Sequence, residues 1–323
     1  MKRFAKALCA FVLISTLFGC GSSSDAAIKI GVIQYAEHPA LDQAYKGFVK
    51  GLEENGYTYG ENIEIDYKVA QQDQSNCKTI TNTFVNDGVD LIYAIATPAA
   101  QSAANETKDI PIVISAVTDA KNAGLVQKNE KPGTNVTGVS DLTPVQSQLE
   151  LLTQILPEAK KVAVLYCNAE DNSIFQATIA KEEGKKLGLE MVEATVTDSN
   201  QIQQVTESLI GKVDAIYIPT DNLIAEGMAS VAQVANENNL PCICGEMGFV
   251  QNGGLATYGL DYFELGKMAG NQAAQILEGK DPAKMPIEYL PTEKCSLAIN
   301  KKVAEKLNIT IPKELLDKAE MVE

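Results

Sequence analysis

The residues able to do chemistry in this chain are acids, hydroxyls and helix starts, each placed just behind an apolar run. Thr97-Pro98-Ala99-Ala100 opens a helix directly after the run Asp90–Ala96. Proline suits the first helical position, and the free N–H groups there attract an anion. A ligand carboxylate fits at Thr97 and Pro98, with the Thr97 hydroxyl as an added donor; the same residues also serve as a plain N-cap. Ser115 and Thr118, at the end of the next run, are further donors to that carboxylate. Asp221 follows the run Ala215–Pro219 and precedes a helix. It either pairs with a ligand ammonium, with Asn222 as a second polar contact, or caps the helix. Glu246 ends the following run and competes for the ammonium, and Asp119 is a third acid in an equivalent place. Tyr35 ends the first run and either stacks on the ligand or stays a partly exposed core tyrosine.

Catalysis lacks its usual parts. His38 is the only histidine, and no Gly-x-Ser-x-Gly elbow accompanies it. A loop position beside Pro39, or an occasional cleft contact, accounts for it. There is no phosphate loop, no Gly-x-Gly-x-x-Gly fingerprint and no metal-ligand cluster, so neither a cofactor nor a metal is expected. Cys242-Ile243-Cys244 lacks a second ligand pair for zinc and reads as two buried residues on one strand face. A disulfide, Cys77 with Cys295 for instance, stays open in an exported chain. A hydrolase built on a cleft carboxylate pair is the enzymatic alternative. It finds no organised nucleophile, no tryptophan and only 6% aromatic residues for a sugar platform.

The elements that must position these groups alternate almost without a break. Strands are predicted at Ile28–Gln34, Ile63–Val69, Asp90–Ala96 and Pro111–Ala116, with helices at Pro39–Asn55, Asn76–Asp87 and Pro98–Thr107. Lys128–Gly138 is rich in Gly, Pro, Asn and Lys and reads as a loop. The rhythm then restarts with strands at Lys161–Cys167, Glu190–Thr195, Ala215–Pro219 and Pro241–Gly245, separated by helices. Valine- and isoleucine-rich runs of this length suit parallel strands buried on both faces. The fold class is therefore α/β, with two Rossmann-like lobes of parallel sheet. A last portion, with a strand at Ala256–Tyr262, a helix at Glu264–Glu278 and short strands at Pro286–Leu290 and Ser296–Asn300, returns segments to the lobes. Crossings fall near Val136–Ser140, Tyr258–Asp261 and Ile287–Pro291. Ligands bind at the carboxyl ends of such strands. The expected cleft walls are thus Tyr35–His38, Thr97-Pro98, Ser115–Asp119, Asn168–Ser173, Thr220–Asn222 and Gly245–Met247.

The leader speaks to location. A basic start, an apolar run from Ala7 to Phe18 and the sequence Leu17-Phe18-Gly19-Cys20 form a secretory signal. About twelve apolar residues are too few for a transmembrane span, which needs roughly 20. Removing residues 1–19 takes three bases and no acid, leaving 24 basic against 42 acidic residues and a formal charge of −18. So acidic a surface argues against nucleic acid as a partner.

The chain resembles a known family. Its marks are Ile30–Tyr35 with His38–Asp42, Ala96–Gln101, Val117–Ala120, Asn135–Asp141, Pro219–Asn222 and Gly253–Gly259. They resemble those of the substrate-binding lipoproteins of ABC importers, in the type I periplasmic-binding-protein fold, and within it the tryptophan/tyrosine-type binding proteins. The resemblance implies a three-crossing hinge between the lobes and a ligand that is an amino acid, preferably aromatic. It implies delivery to an ABC permease and its ATPase, and no enzymatic activity. It also implies acylation of Cys20 and attachment by that lipid anchor to the extracytoplasmic side of the cell membrane. The expected division is 1–19 as signal peptide, 20–27 as lipidated tether, 28–138 with 262–288 as the first lobe, and 139–261 with 289–323 as the second. An exported small-molecule sensor on the same fold is the other function the chain allows.

Overall fold

The computed structural model describes residues 27–322, so Cys20 and the leader lie outside the described residues. The first half builds β1 (Ile28–Gln34), α1 (Pro39–Glu54), β2 (Ile63–Val69), α2 (Gln74–Asp87), β3 (Leu91–Ile95), α3 (Thr97–Glu106), β4 (Ile112–Val117) and β5 (Val136–Ser140). The second builds α4 (Val145–Ile155), β6 (Lys161–Cys167), α5 (Asp171–Lys186), β7 (Glu190–Val196), α6 (Ile202–Ser208), β8 (Ala215–Ile218), α7 (Asn222–Glu237), β9 (Cys242–Cys244), α8 (Met247–Gln251) and β10 (Ala256–Gly259). The return portion is α9 (Tyr262–Leu277), β11 (Glu288–Tyr289), β12 (Ser296–Asn300), α10 (Lys301–Lys306), α11 (Lys313–Leu316) and β13 (Glu320–Val322).

Two sheets result, ordered β11-β5-β4-β3-β1-β2 and β13-β12-β10-β9-β8-β6-β7. The first is parallel throughout. The second departs from the expected parallel sheet at one place, where β12 runs antiparallel to β10. Strand order reverses between β1 and β3 in one sheet and between β6 and β8 in the other. Those reversals open crevices at the strand ends, where ligands of doubly wound sheets bind. β3 and β4 are buried along their whole length, as two-sided strands require.

β5 was not among the expected strands. Gly138 sits in it with φ +145°, and a Cβ there would lie 2.1 Å from the Ile114 carbonyl oxygen. Only glycine lets the two strands approach so closely, and that glycine makes the segment read as a loop. Val139 and Ser140 pair with Glu288 and Tyr289 inside the first sheet. The chain therefore leaves this sheet after residue 140 rather than 138, and again after 289 rather than 288.

α9 returns from the second sheet to pack on α1. The apolar spacing of α1 buries Ala40, Leu41, Ala44, Phe48 and Leu52 on one face. Gly47 and Gly51 on that helix lie against the backbone of α9, and Gly266 and Gly270 on α9 lie against that of α1. A Cβ on Gly266 would fall 1.9 Å from the Ala44 carbonyl oxygen, and one on Gly47 the same distance from that of Phe263. The two backbones touch along this seam. Among the described residues, no helix is long and apolar enough to cross a membrane. Cys77, Cys167, Cys242, Cys244 and Cys295 are free thiols.

Candidate functional site

The carboxyl ends of both sheets face one small interlobe cavity, shut down to about 20 Å³. The segments expected as walls supply much of its lining: His38, Ala116, Thr118, Asn172, Thr220 to Asn222, and Glu246. Asp141 and Tyr262 join them from the two crossings next to the first sheet. Tyr35, Thr97, Pro98, Ser115 and Asp119 are not among the lining residues.

The acids differ sharply in what holds them. Asp221 lines the cavity, yet its oxygens are taken. Oδ1 accepts from the Ile224 N–H at 2.8 Å, capping α7, and Oδ2 accepts from the Cys167 N–H at 2.6 Å and the Ser173 hydroxyl at 2.7 Å. Asp119 accepts from the Asn122 N–H and from Asn129 Nδ2, both in its own loop. Asp141, fully enclosed, accepts from the Tyr262 hydroxyl at 2.9 Å and the Thr118 hydroxyl at 3.2 Å. Burial pushes its carboxyl up to about 6. Glu246 is 4% exposed, and no hydrogen-bond donor among the described residues reaches its carboxyl. Burial, with Asp141 nearby, pushes it up to about 8. No lysine or arginine lines the cavity. Two adjacent buried carboxyls without a cation are unstable as a charged pair and invite a positive ligand.

Sequence reasoning missed Asp141, Tyr262 and Glu170. Glu170 is buried behind the wall and accepts from Asn222 Nδ2 at 2.6 Å and Asn172 Nδ2 at 3.0 Å. Burial and the neighbouring Asp221 charge raise its pKa. Glu170 lay within a segment expected to form a wall. Asp141 obeys the rule used for the other acids, an acid directly after a strand, but that strand was hidden by Gly138.

At the far ends of β3 and β4 the backbone is strained. Ala96 has φ +81° and Ala116 φ +53°, values that cost a non-glycine residue about 1–3 kcal/mol. The Ala96 N–H donates to the Ser115 carbonyl, so the start of α3 lies one strand from the cavity wall at Ala116. Thr97 Oγ1 is buried there without a partner. The Ser115 hydroxyl is engaged with the Tyr93 hydroxyl. The Tyr35 hydroxyl donates to the Gln72 carbonyl at 3.1 Å.

Hydrogen bonds also join the lobes directly. Gln72 Nε2 donates to the Asn222 carbonyl at 3.2 Å, and Gln101 Nε2 to Asp171 Oδ2 at 2.7 Å. Gln176 Nε2 reaches Thr118 Oγ1 at 3.4 Å. The cleft is closed.

A family model described as ABC transporter substrate binding protein matches residues 29–323. The chain belongs to that family. Its members are solute-binding components of transporters rather than enzymes, and they work outside the cytoplasm. The two-lobe α/β architecture is that of type I periplasmic binding proteins. A protein of Clostridioides difficile (strain R20291) named tyrosine-binding protein is 43% identical over 95% of this chain and 93% of its own length. An ABC domain from Streptococcus pneumonia, solved in complex with L-Trp, is 39% identical with a TM-score of 0.89, covering 92% of this chain and all of that one. The ligand-free, open structure of a substrate-binding protein with adhesive properties from Clostridium difficile is 43% identical with a TM-score of 0.72, over 92% of this chain and 99% of that one. The lobe arrangement here is thus more similar to the liganded relative than to the open one.

Proposed function

We propose that this protein binds a free aromatic α-amino acid in the interlobe cavity and delivers it to an ABC permease and its ATPase. The observation that carries this reading is Glu246, a buried carboxyl with no donor, set beside Asp141 in a cavity without a cation. A ligand ammonium supplies what both lack. Asp141 and Glu246 take it, in place of Asp221, whose oxygens already bind the second lobe. The carboxylate goes toward the Ala116–Thr118 wall, behind which the start of α3 and the unpartnered Thr97 hydroxyl favour an anion. Pro98 and Ser115 shape and support that corner, and Tyr35 and Asn222 flank the cleft. The aromatic preference rests on the names of the relatives.

Calorimetry with tyrosine, tryptophan and phenylalanine tests the reading. Micromolar or tighter binding of one of them supports it; indifference to all three, with uptake of a sugar or nucleoside, overturns it. The leader and Cys20 support a lipid-anchored protein at the outer face of the membrane. Cys20→Ala protein should then appear in the soluble fraction, and full membrane partition of that variant would remove the anchor from the account.

A further inference from the structure

Two buried acceptors in the cavity are left over once the ligand's ammonium is assigned to Glu246 and Asp141. Asn172 Oδ1 and His38 Nδ1 are both without a hydrogen-bond partner. His38 is 9% exposed, Asn172 7%, and both line the cavity. Their roles as donor or acceptor are fixed by what surrounds them. Asn172 Nδ2 donates to Glu170 Oε2 at 3.0 Å, which leaves Oδ1 as the free atom. Asn222 Nδ2 donates to the same carboxylate at 2.6 Å, so Asn222 presents Oδ1, an acceptor, to the histidine. His38 Nε2 lies 3.4 Å from that oxygen and therefore carries the proton. Burial pushes the ring down to about 4, so it is neutral at pH 7 and its Nδ1 holds a lone pair.

Both orphaned atoms thus accept, and neither can donate. A buried acceptor without a donor has given up its water and received nothing in return. A ligand that brings a second donor, away from its ammonium, makes good that loss; one that brings only carbon does not. This is the situation in which a site discriminates strongly against an analogue lacking the polar group.

We propose that His38 Nδ1 and Asn172 Oδ1 receive a hydrogen-bond donor on the ligand's ring, so that the site selects tyrosine or tryptophan over phenylalanine. The phenol O–H and the indole N–H are the donors carried by aromatic amino acids. The inference rests on the amino-acid reading above and adds to it the feature of the side chain that is recognised. It also gives the lone histidine a role that is neither catalytic nor incidental.

The test is a ligand series measured by calorimetry on the intact protein. Tyrosine or tryptophan should bind at least about tenfold tighter than phenylalanine and para-fluorophenylalanine, a factor equal to about 1.4 kcal/mol. In His38→Leu protein, the better-bound donor ligand should weaken while phenylalanine holds or improves, and the ratio should fall toward one. Asn172→Leu should move the ratio the same way, though it also removes a partner of Glu170. Should His38→Leu fail to fold, the wild-type series still decides. Equal affinity of wild type for donor and donor-free rings overturns the inference and leaves the amino-acid reading standing. So does an unchanged ratio in a folded His38→Leu protein, which would mean that water satisfies the two acceptors. Failure of every aromatic amino acid to bind overturns both.

Discussion

Glu246, after β9 of the second sheet, and Asp141, after β5 of the first, face the same closed cavity, and no cationic side chain lines it. Asp141 at least has two hydroxyl donors, from Thr118 and Tyr262. Among the described residues Glu246 has none, which makes it the more revealing of the two. A Cβ on Gly248 would come within 3.0 Å of its Oε1, so a small residue leaves room for its head.

Glu246→Gln should weaken amino-acid binding by about 2–5 kcal/mol, the usual loss when one partner of a buried charge pair is removed. The ligand-free protein should not suffer, because no native bond to this carboxyl is lost. Calorimetry and a thermal melt of the free variant check the two halves. Undiminished affinity would remove Glu246 from the ammonium site.

The same carboxyls make binding depend on pH. Their native pKa values lie above the ordinary range, at about 8 for Glu246 and about 6 for Asp141. The free fold therefore holds their protons longer than the unfolded chain does. Its stability should fall as pH rises from about 5 to 8. An ammonium favours the charged carboxylates, so binding releases protons and affinity should rise over the window from about 6 to 8. Calorimetry in buffers of different ionisation enthalpy counts those protons; zero release at pH 7 contradicts the assignment.

At the rim, Gln101 and Asp171 touch only when the lobes are shut. An exposed hydrogen bond is worth about 0.5–1.5 kcal/mol at most. Gln101→Ala should cost up to about tenfold in affinity without touching the ligand, through a smaller closed population. Stopped-flow release should quicken correspondingly. Small-angle scattering with saturating ligand should still show closure, since the other interlobe bonds remain.

The seam between α1 and α9 offers a stability test. Gly266→Ala places a methyl against backbone that cannot step aside, and should cost the upper part of the roughly 1–3 kcal/mol typical of overpacking. Denaturant midpoints read this directly. An unchanged midpoint would mean that the helices can separate without penalty.

Much of this architecture is written locally. Ile28–Gln34 and Lys161–Cys167 are largely apolar runs, Ile63–Val69 alternates apolar with charged residues, and the observed bounds of all three match the expected strands. What is lost is whatever depends on a distant partner. β13 exists only because β12 offers it an edge, and α8 is one turn held by its neighbours. The candidate site divides in the same way. The rule that polar groups follow strands brings out Thr118, Asn222 and Glu246. It does not say that Asp221 would be consumed by the α7 start, Cys167 and Ser173, nor that Glu246 would be left with nothing. Those outcomes depend on where donors from other segments come to rest.

The α1–α9 seam also governs the order in which the chain can assemble. Asn55 Nδ2 bonds Asn271 Oδ1 across it, at a separation of 216 residues. The second sheet is likewise finished late, by β12 against β10 and β13 against β12. A chain appearing from its N-terminus therefore holds two unfinished sheets until the segments from Tyr262 to Val322 arrive. Contacts so remote in sequence form slowly, because loop closure comes before any reward. For a protein that works outside the cytoplasm, that delay leaves neither lobe complete until its last segments arrive.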